Sequence, residues 1–243
     1  MANSVDFERL RREMVEDQIA ARGVGSPAVL AAMRKVQRES FVPAHLAELA
    51  YRDSPLPIGE HQTISQPYIV AFMIAALGLR GGERVLEVGT GSGYAAAVLA
   101  EIAGEVYTIE RHAQLANSAI ERLARQGYTN IRVRHGDGTL GWPESAPFDA
   151  IVVAAGGREI PPALEEQLAI GARLVIPVGE VAGSQTLVRV TRLDRGRCSR
   201  EELAGVRFVP LVGAQFKRGR VAPRRAGEDD DTRSGSAPSE RET

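Results

Sequence analysis

Short apolar runs of strand length alternate with helical stretches through the middle of the sequence, and this alternation limits the fold more than any other feature. The predicted strands are 84–88, 105–109, 131–134, 148–154 and 173–177, and the predicted helices are 94–103, 113–126 and 161–168. Such alternation produces right-handed crossovers and a parallel sheet with helices on both faces. We therefore predict a Rossmann-like, doubly wound α/β sheet. Segments 185–193 and 206–211 alternate apolar and polar residues and are predicted to add an antiparallel edge.

The two ends of the chain differ from this core. In 5–38 apolar residues such as Leu10, Met14 and Ile19 recur at helical spacing, and Ser26-Pro27 is typical of a helix start. We predict a single domain over 1–216, made of a helical N-terminal cap (1–60) and the Rossmann-like core (61–216). Segment 217–243 is charged and has almost no large apolar residues, so it is predicted to be a disordered tail.

Composition argues against several functional classes. The net charge is −1 and the pI about 6.5, which gives no electrostatic footprint for nucleic acid. The single cysteine, Cys198, cannot form an intramolecular disulfide, and the four histidines show no metal-ligand spacing. The polar segment 1–12 lacks the apolar centre of a signal peptide, and no uncharged apolar run reaches the roughly 18 residues of a membrane span. We expect a cytoplasmic monomer with no metal, nucleic-acid or membrane partner.

A glycine-rich turn lies between the first predicted strand of the sheet and the helix after it, in Val85-Leu-Glu-Val-Gly-Thr-Gly-Ser-Gly-Tyr94. Its three glycines have the spacing G-x-G-x-G, whereas the dinucleotide fingerprint that holds a pyrophosphate is G-x-G-x-x-G. With an acidic residue two positions before the first glycine, the pattern resembles the first motif of class I S-adenosylmethionine-dependent methyltransferases. Taken alone, a structural turn without a ligand is the alternative.

Two acidic residues follow the next two predicted strands. Glu110 lies about 20 residues past the glycine turn, where a carboxylate can accept hydrogen bonds from both ribose hydroxyls. Asp137, in His135-Gly-Asp-Gly138, is placed to accept a hydrogen bond from an adenine amino group. Both follow carboxyl ends of strands, where open α/β sheets bind ligands. A surface carboxylate and a ligand-free turn are the respective alternatives.

The segment before the glycine turn points to a substrate. It reads Tyr51-Arg-Asp-Ser-Pro-Leu-Pro-Ile-Gly59 and then Glu60-His-Gln-Thr-Ile-Ser-Gln-Pro-Tyr68. This closely resembles the protein-L-isoaspartate O-methyltransferase family, in which a Thr-Ile-Ser-x-Pro loop forms the active site. Later motifs continue the resemblance, which covers about 14–211: Ala146-Pro-Phe-Asp-Ala-Ile151, Arg173-Leu-Val-Ile-Pro-Val-Gly179 and Val206-Arg-Phe-Val-Pro-Leu211. It implies S-adenosylmethionine as cofactor and methylation of the free α-carboxylate of L-isoaspartyl residues in damaged proteins, which starts repair through a succinimide.

The resemblance also assigns site residues. Ser65 is the active-site serine, and Thr63 and Ile64 belong to the loop that touches cofactor and substrate. The cofactor contacts it implies are Glu87, Gly89, Gly91, Gly93, Glu110, Asp137 and Gly138. Val212 and Gln215 lie where the family has a late substrate loop, although Val212-Gly-Ala-Gln215 is less polar than other versions. A carboxylate is already ionised near neutral pH, so Ser65 is expected to orient the substrate and not to attack it. A helix cap before Pro67 is the alternative role for Ser65.

Other functions stay open. The chain resembles class I methyltransferases in general, so another methyl acceptor is the main alternative. A nicotinamide-dependent oxidoreductase is disfavoured by the short glycine spacing. A non-catalytic relative that only binds isoaspartyl sites is disfavoured because Ser65 and Glu110 are both present.

Overall fold

The first part of the chain forms a helical cap. The computed structural model describes residues 5–180 and 183–215, and the predicted tail at 217–243 lies outside these ranges. Ser26 begins a helix as predicted, because its hydroxyl accepts a hydrogen bond from the Val29 N–H. The elements of the cap are α1 (Phe7–Glu13), a π-helical turn (Met14–Ile19), a 3₁₀ turn (Ala20–Arg22), α2 (Pro27–Lys35) and two further 3₁₀ turns (Arg38–Phe41 and Ala44–Leu49).

A two-stranded antiparallel hairpin follows the cap and was not predicted. Strand β1 (Leu56–Gly59) pairs with β2 (Gln62–Ile64), and the hairpin spans the boundary at 60 and 61 that divides the predicted cap from the predicted core. Its turn residues Glu60 and His61 have φ of +50° and +55°, a left-handed conformation that is uncommon outside glycine. The hairpin leads directly into Ser65 and helix α3 (Pro67–Leu77).

A seven-stranded sheet forms the core. Its strands are β3 (Arg84–Val88), β4 (Glu105–Glu110), β5 (Ile131–His135), β6 (Phe148–Val153), β7 (Leu168–Gly179), β8 (Gln185–Asp194) and β9 (Arg197–Val206), and the remaining helices are α4 (Tyr94–Ala100), α5 (Ala113–Arg125) and α6 (Pro162–Glu166). The strand order is β5-β4-β3-β6-β7-β8-β9. The first five are parallel to one another, and β8 is antiparallel to both neighbours. The predicted doubly wound sheet with an antiparallel edge is confirmed.

The sheet is buried on both faces. Alternate strand residues such as Val85 and Val106 pack under the cap, α3 and α4, while Leu86 and Ile151 pack on the opposite face with Leu164 of α6. Burial on both sides explains why these strands read as continuous apolar runs. None of the helices in 5–180 and 183–215 has the length and apolar character needed to cross a bilayer.

The predicted strand at 206–211 is wrong. Within 5–180 and 183–215 the last strand is β9, which ends at Val206 and was missed because an exposed edge strand needs few apolar residues. Segment 207–211 is apolar for a different reason, since it crosses the top of the sheet. There the Gly156 N–H donates to the Val209 carbonyl and the Leu211 N–H donates to the Gly156 carbonyl, both at 2.8 Å.

Candidate active site

A cleft opens at the carboxyl ends of β3, β4 and β6, where the strand order reverses. Open α/β sheets bind ligands at this switch point. The β1–β2 hairpin and segment 209–212 form part of the wall of this cleft. The predicted site residues that line it are Thr63, Ile64, Ser65, Glu87, Gly89, Gly91, Glu110, Gly138 and Val212. The predicted residues Gly93, Asp137 and Gln215 are not among its lining residues.

The glycine turn is bonded to the end of β4. Gly91 has φ of +53°, and its N–H donates to Glu110 Oε2 at 2.9 Å. A Cβ atom at Gly91 would lie 3.3 Å from Ile58 Cδ1, so the hairpin packs directly on the turn. Gly93 faces away from the cleft, and a Cβ there would lie 3.3 Å from Leu123 Cγ. Gly93 therefore allows helix α5 to pack closely against the turn, and its predicted cofactor contact stays a prediction.

Glu110 is held in place by two backbone donors. Besides the bond from Gly91, its Oε1 accepts from the His112 N–H at 2.9 Å, and the side chain is buried. Each carboxylate oxygen has a second lone pair after accepting one such bond. The geometry therefore leaves both oxygens able to accept from a diol, which is the predicted ribose contact.

Glu87 is a buried acid with an unused oxygen. Its Oε2 accepts from the Thr108 hydroxyl at 2.5 Å, and Thr108 in turn lies 2.6 Å from the Thr90 hydroxyl. Its Oε1 is buried and has no hydrogen-bond partner within the described residues. Burial raises the pKa of Glu87 to about 8, with the Thr108 hydrogen bond opposing and the Glu110 charge adding to that effect. A cationic group of a ligand would pair with this oxygen.

Asp137 binds the backbone of the segment that contains Ala214. Its Oδ1 accepts from the Thr139 N–H at 2.9 Å and the Thr139 hydroxyl at 2.7 Å, and its Oδ2 accepts from the Ala214 N–H at 2.6 Å. Burial alone would raise the pKa of Asp137, but these hydrogen bonds hold it below its usual value. Val212 reaches the cleft wall, whereas the Gln215 Oε1 is buried without a partner within the described residues. The adenine contact of Asp137 and the substrate contact of Gln215 stay predictions.

Ser65 lies between β2 and α3, at the junction of two cavities. Gln66 occupies the N-cap position of α3, so Ser65 is not the helix cap. Beside the enclosed cleft lies a second, more open groove, lined in part by Gln66, Arg207 and Phe208. The residues common to both cavities are Thr63, Ser65, Ala154 and Val209. A ligand in the cleft and a chain in the groove would therefore meet at Ser65.

Sequence reasoning missed several cleft residues. His112 lines the cleft two residues after Glu110, with Nδ1 at 3.5 Å from Glu60 Oε2 and a buried Nε2 that has no partner in the described chain. Its position two residues after Glu110, the candidate ribose-binding residue, was the sequence signal that could have identified His112. Tyr94 and segment 209–211 also line the cleft. Across the ranges that the structure covers, no three His, Cys, Asp or Glu side chains are grouped to hold a metal ion.

The fold and the cleft fit S-adenosylmethionine. This molecule carries an ammonium group and a sulfonium for a buried acid such as Glu87, and a ribose diol for Glu110. Its adenine ring and the methylene groups of its methionine part suit the apolar walls from Ile64, Ile109 and Leu211. A parallel sheet with an antiparallel edge and this cleft at its switch point define a class I S-adenosylmethionine-dependent methyltransferase.

Comparison with known proteins identifies the family. The model of the protein-L-isoaspartate(D-aspartate) O-methyltransferase family matches residues 9–216, and the chain belongs to this family. It is 62% identical to protein-L-isoaspartate O-methyltransferase 1 of Rhodopseudomonas palustris strain HaA2, over 87% of this chain and 86% of that protein. It is 57% identical to protein-L-isoaspartate O-methyltransferase 2 of Pelobacter propionicus, over 87% of this chain and 95% of that protein.

A solved structure supports the same assignment. A Plasmodium falciparum protein assigned to this methyltransferase type, solved in complex with S-adenosyl-L-homocysteine, has a TM-score of 0.73 and 27% identity to this chain. The match covers 83% of this chain and 98% of that one.

Proposed function

We propose that this protein transfers the methyl group of S-adenosylmethionine to the free α-carboxylate of L-isoaspartyl residues, and of D-aspartyl residues, in damaged proteins. The observation that carries the proposal is the position of Ser65 where the enclosed cleft and the open groove meet. The cleft suits the cofactor, and we place the peptide in the groove that shares Ser65 with it.

The reaction requires the protein to align the substrate carboxylate with the methyl group more than it requires acid–base catalysis. A carboxylate is ionised near neutral pH and is already a nucleophile, so no general base is required. Holding two reactants in line can contribute about 7–11 kcal/mol where it is well realised. The Ser65 hydroxyl donates to one carboxylate oxygen and leaves the other facing the methyl group. Ser65 therefore orients the substrate, and the nucleophile belongs to the damaged protein.

The cofactor is held by groups that the sheet and its loops supply. When bound, S-adenosylmethionine supplies an electrophilic methyl group on a sulfonium. Glu110 would accept from the ribose hydroxyls, Glu87 would pair with a cationic group, and the backbone at Gly89 and Gly91 would allow close approach. Thr63 and Ile64 line the cleft from the hairpin side.

Product release leads to repair without further catalysis. Methoxide leaves an ester more readily than oxide leaves a carboxylate. The neighbouring backbone nitrogen therefore attacks the ester carbonyl, the N–H proton and the methoxide depart as methanol, and a succinimide forms. Hydrolysis of the succinimide returns part of the material to normal aspartate, and the isoaspartyl remainder is methylated again.

A pair of peptides tests the proposal. We expect labelled methyl to pass from S-adenosylmethionine to an isoaspartyl peptide and not to the peptide with normal L-aspartate at the same position. Ser65→Ala serves as the matched variant, because it removes one hydroxyl from the proposed substrate contact. Equal labelling of both peptides, or none, would contradict the proposal, and labelling of a different acceptor would favour another methyltransferase activity.

We also propose that the protein works as a monomer in the cytoplasm, without nucleic-acid or membrane partners. The near-neutral net charge and the single cysteine support this setting. Light scattering at micromolar concentration would test the monomer, and a mass of two chains would contradict it.

A further inference from the structure

Arg38 is a charged side chain buried completely in the helical cap. Its exposed fraction is 0%, and it is the largest fully buried side chain of the described residues. Both of its hydrogen-bond partners in those residues are backbone carbonyls, and Nη1 is buried without an acceptor there. Burying a cation is costly unless hydrogen bonds compensate it, so this placement calls for an explanation.

The guanidinium of Arg38 holds the backbone of Ser65. Its Nη2 donates to the Ser65 carbonyl at 2.7 Å, and its Nε donates to the Ala50 carbonyl at 2.7 Å. Charge-assisted bonds of this kind are short and strong. The bond to Ser65 restrains the peptide plane between Ser65 and Gln66, and with it the backbone that carries the Ser65 side chain. The Arg38 Cζ also lies 4.7 Å from the ring centroid of Tyr94, which lines the cleft.

Asp53, at the end of the cap, accepts hydrogen bonds from the other end of the same loop, at Gln66 and Tyr68. Its Oδ2 accepts from Gln66 Nε2 at 2.6 Å, and its Oδ1 accepts from the Tyr68 N–H at 3.4 Å. Arg22 donates to the same carboxylate at 2.6 Å, and its guanidinium stacks at 3.5 Å over the Tyr68 ring. Side chains of the cap thus hold the loop at 65–68 from both ends.

We propose that Arg38 is a positioning residue for methyl transfer, which holds the Ser65 backbone so that the serine hydroxyl faces the junction of the cleft and the groove. This inference rests on the proposed function for its effect on catalysis, but its effect on the loop is independent of it. A purely structural residue would behave differently. Arg38→Met leaves the Ala50 and Ser65 carbonyls without their donor, so it lowers stability in either case. A residue that only stabilised the cap would leave kcat of the folded enzyme and hydrogen exchange of the loop unchanged, whereas a positioning residue changes both.

The first test compares Arg38→Met with Ile19→Ala. Ile19 is also fully buried in the cap, but it makes no hydrogen bond to the loop in the described contacts. At saturating cofactor and isoaspartyl peptide we expect Arg38→Met to lower kcat about tenfold to hundredfold, as a small misplacement does. The Kd for S-adenosylhomocysteine should stay near the wild-type value in both variants. Ile19→Ala should lower Tm and leave kcat near wild type.

The second test needs no activity. Hydrogen–deuterium exchange of the segment 62–70 should rise about tenfold in Arg38→Met and stay unchanged in Ile19→Ala, because only the first loses the bond to the loop. If Arg38→Met does not fold, Arg38→Lys is measured in its place, since it keeps the charge and loses the planar fork. Unchanged kcat and unchanged exchange in the folded Arg38 variant would overturn the inference. An equal loss of kcat in Ile19→Ala would overturn it as well. Inactive wild-type protein with the expected exchange pattern would refute the proposed function alone.

Discussion

The buried acid Glu87 makes a quantitative prediction about pH. Its pKa of about 8 lies far above the ordinary value of 4.5 because the side chain is buried. In the unfolded chain the carboxyl ionises near 4.5, and in the folded protein it stays neutral until about pH 8. The contribution of protonated Glu87 to the free energy of unfolding is fully present below pH 4.5 and is lost as the pH rises through about 8.

The magnitude follows from linkage. Each pH unit between the two pKa values is worth about 1.4 kcal/mol. Between pH 5 and pH 7.5 this single group should lower the free energy of unfolding by about 3 kcal/mol. In Glu87→Gln the group cannot ionise, so the variant should lack this part of the pH dependence. Other titrating groups are common to both proteins and cancel in the difference.

Urea unfolding at pH 5 and pH 7.5 measures this difference. The control is Glu121→Gln, which changes the same atoms on the exposed surface of α5 and should match wild type at both pH values.

A second readout uses the cofactor product. Binding of S-adenosylhomocysteine near pH 7 should release about one proton when its ammonium group pairs with ionised Glu87. Calorimetry in buffers of different ionisation enthalpy measures that release. Two results together would contradict a raised pKa of Glu87. They are an equal pH dependence of the free energy of unfolding in wild type and Glu87→Gln, and binding of S-adenosylhomocysteine that releases no proton.

The remaining predictions concern single contacts of the site. Ser65→Ala should lower kcat about a hundredfold and leave the Kd for S-adenosylhomocysteine within about twofold, as measured by methyl transfer and calorimetry, because it misaligns only the substrate. Glu110→Ala should raise that Kd by about tenfold or more, because hydrogen bonds to a charged group are lost; equal losses of cofactor affinity in the two variants would contradict this division of roles. Gly138→Ala places a Cβ atom 2.3 Å from Val88 Cγ1, and should lower the free energy of unfolding by about 1–3 kcal/mol in urea. Gly25→Ala, with no atom within 4 Å of the new Cβ, is its control, and equal stability of the two variants would count against the predicted clash.

Local chemistry made the centre of the fold predictable. The apolar run of β3, the turn at Gly91 and the acid at Glu110 follow one another closely in sequence, and each has a local physical signature. The antiparallel edge was predicted at β8, where side chains alternate, and missed at β9, where the exposed edge strand is polar. The final apolar segment was mistaken for a strand because apolarity alone does not distinguish a strand from a covering segment.

Contacts made across the fold were beyond sequence reasoning. Arg38 precedes Ser65 by 27 residues, and nothing in its neighbourhood indicates that it is buried against the loop. The Asp137 carboxylate is engaged by the backbone of Ala214, 77 residues later, which no local pattern reveals. The β1–β2 hairpin was missed because its turn uses Glu60 and His61 at positive φ, where glycine or asparagine would have signalled it.

A competition between three versions of one peptide measures which aspartyl carboxylate the protein methylates. Equal amounts of the L-isoaspartyl, D-aspartyl and L-aspartyl forms are mixed with labelled S-adenosylmethionine, and the label on each form is measured after chromatography. A methyltransferase for isoaspartyl and D-aspartyl carboxylates places label on those two forms and none on the L-aspartyl form. Label spread equally over the three forms, or absent from the isoaspartyl form, would contradict this activity.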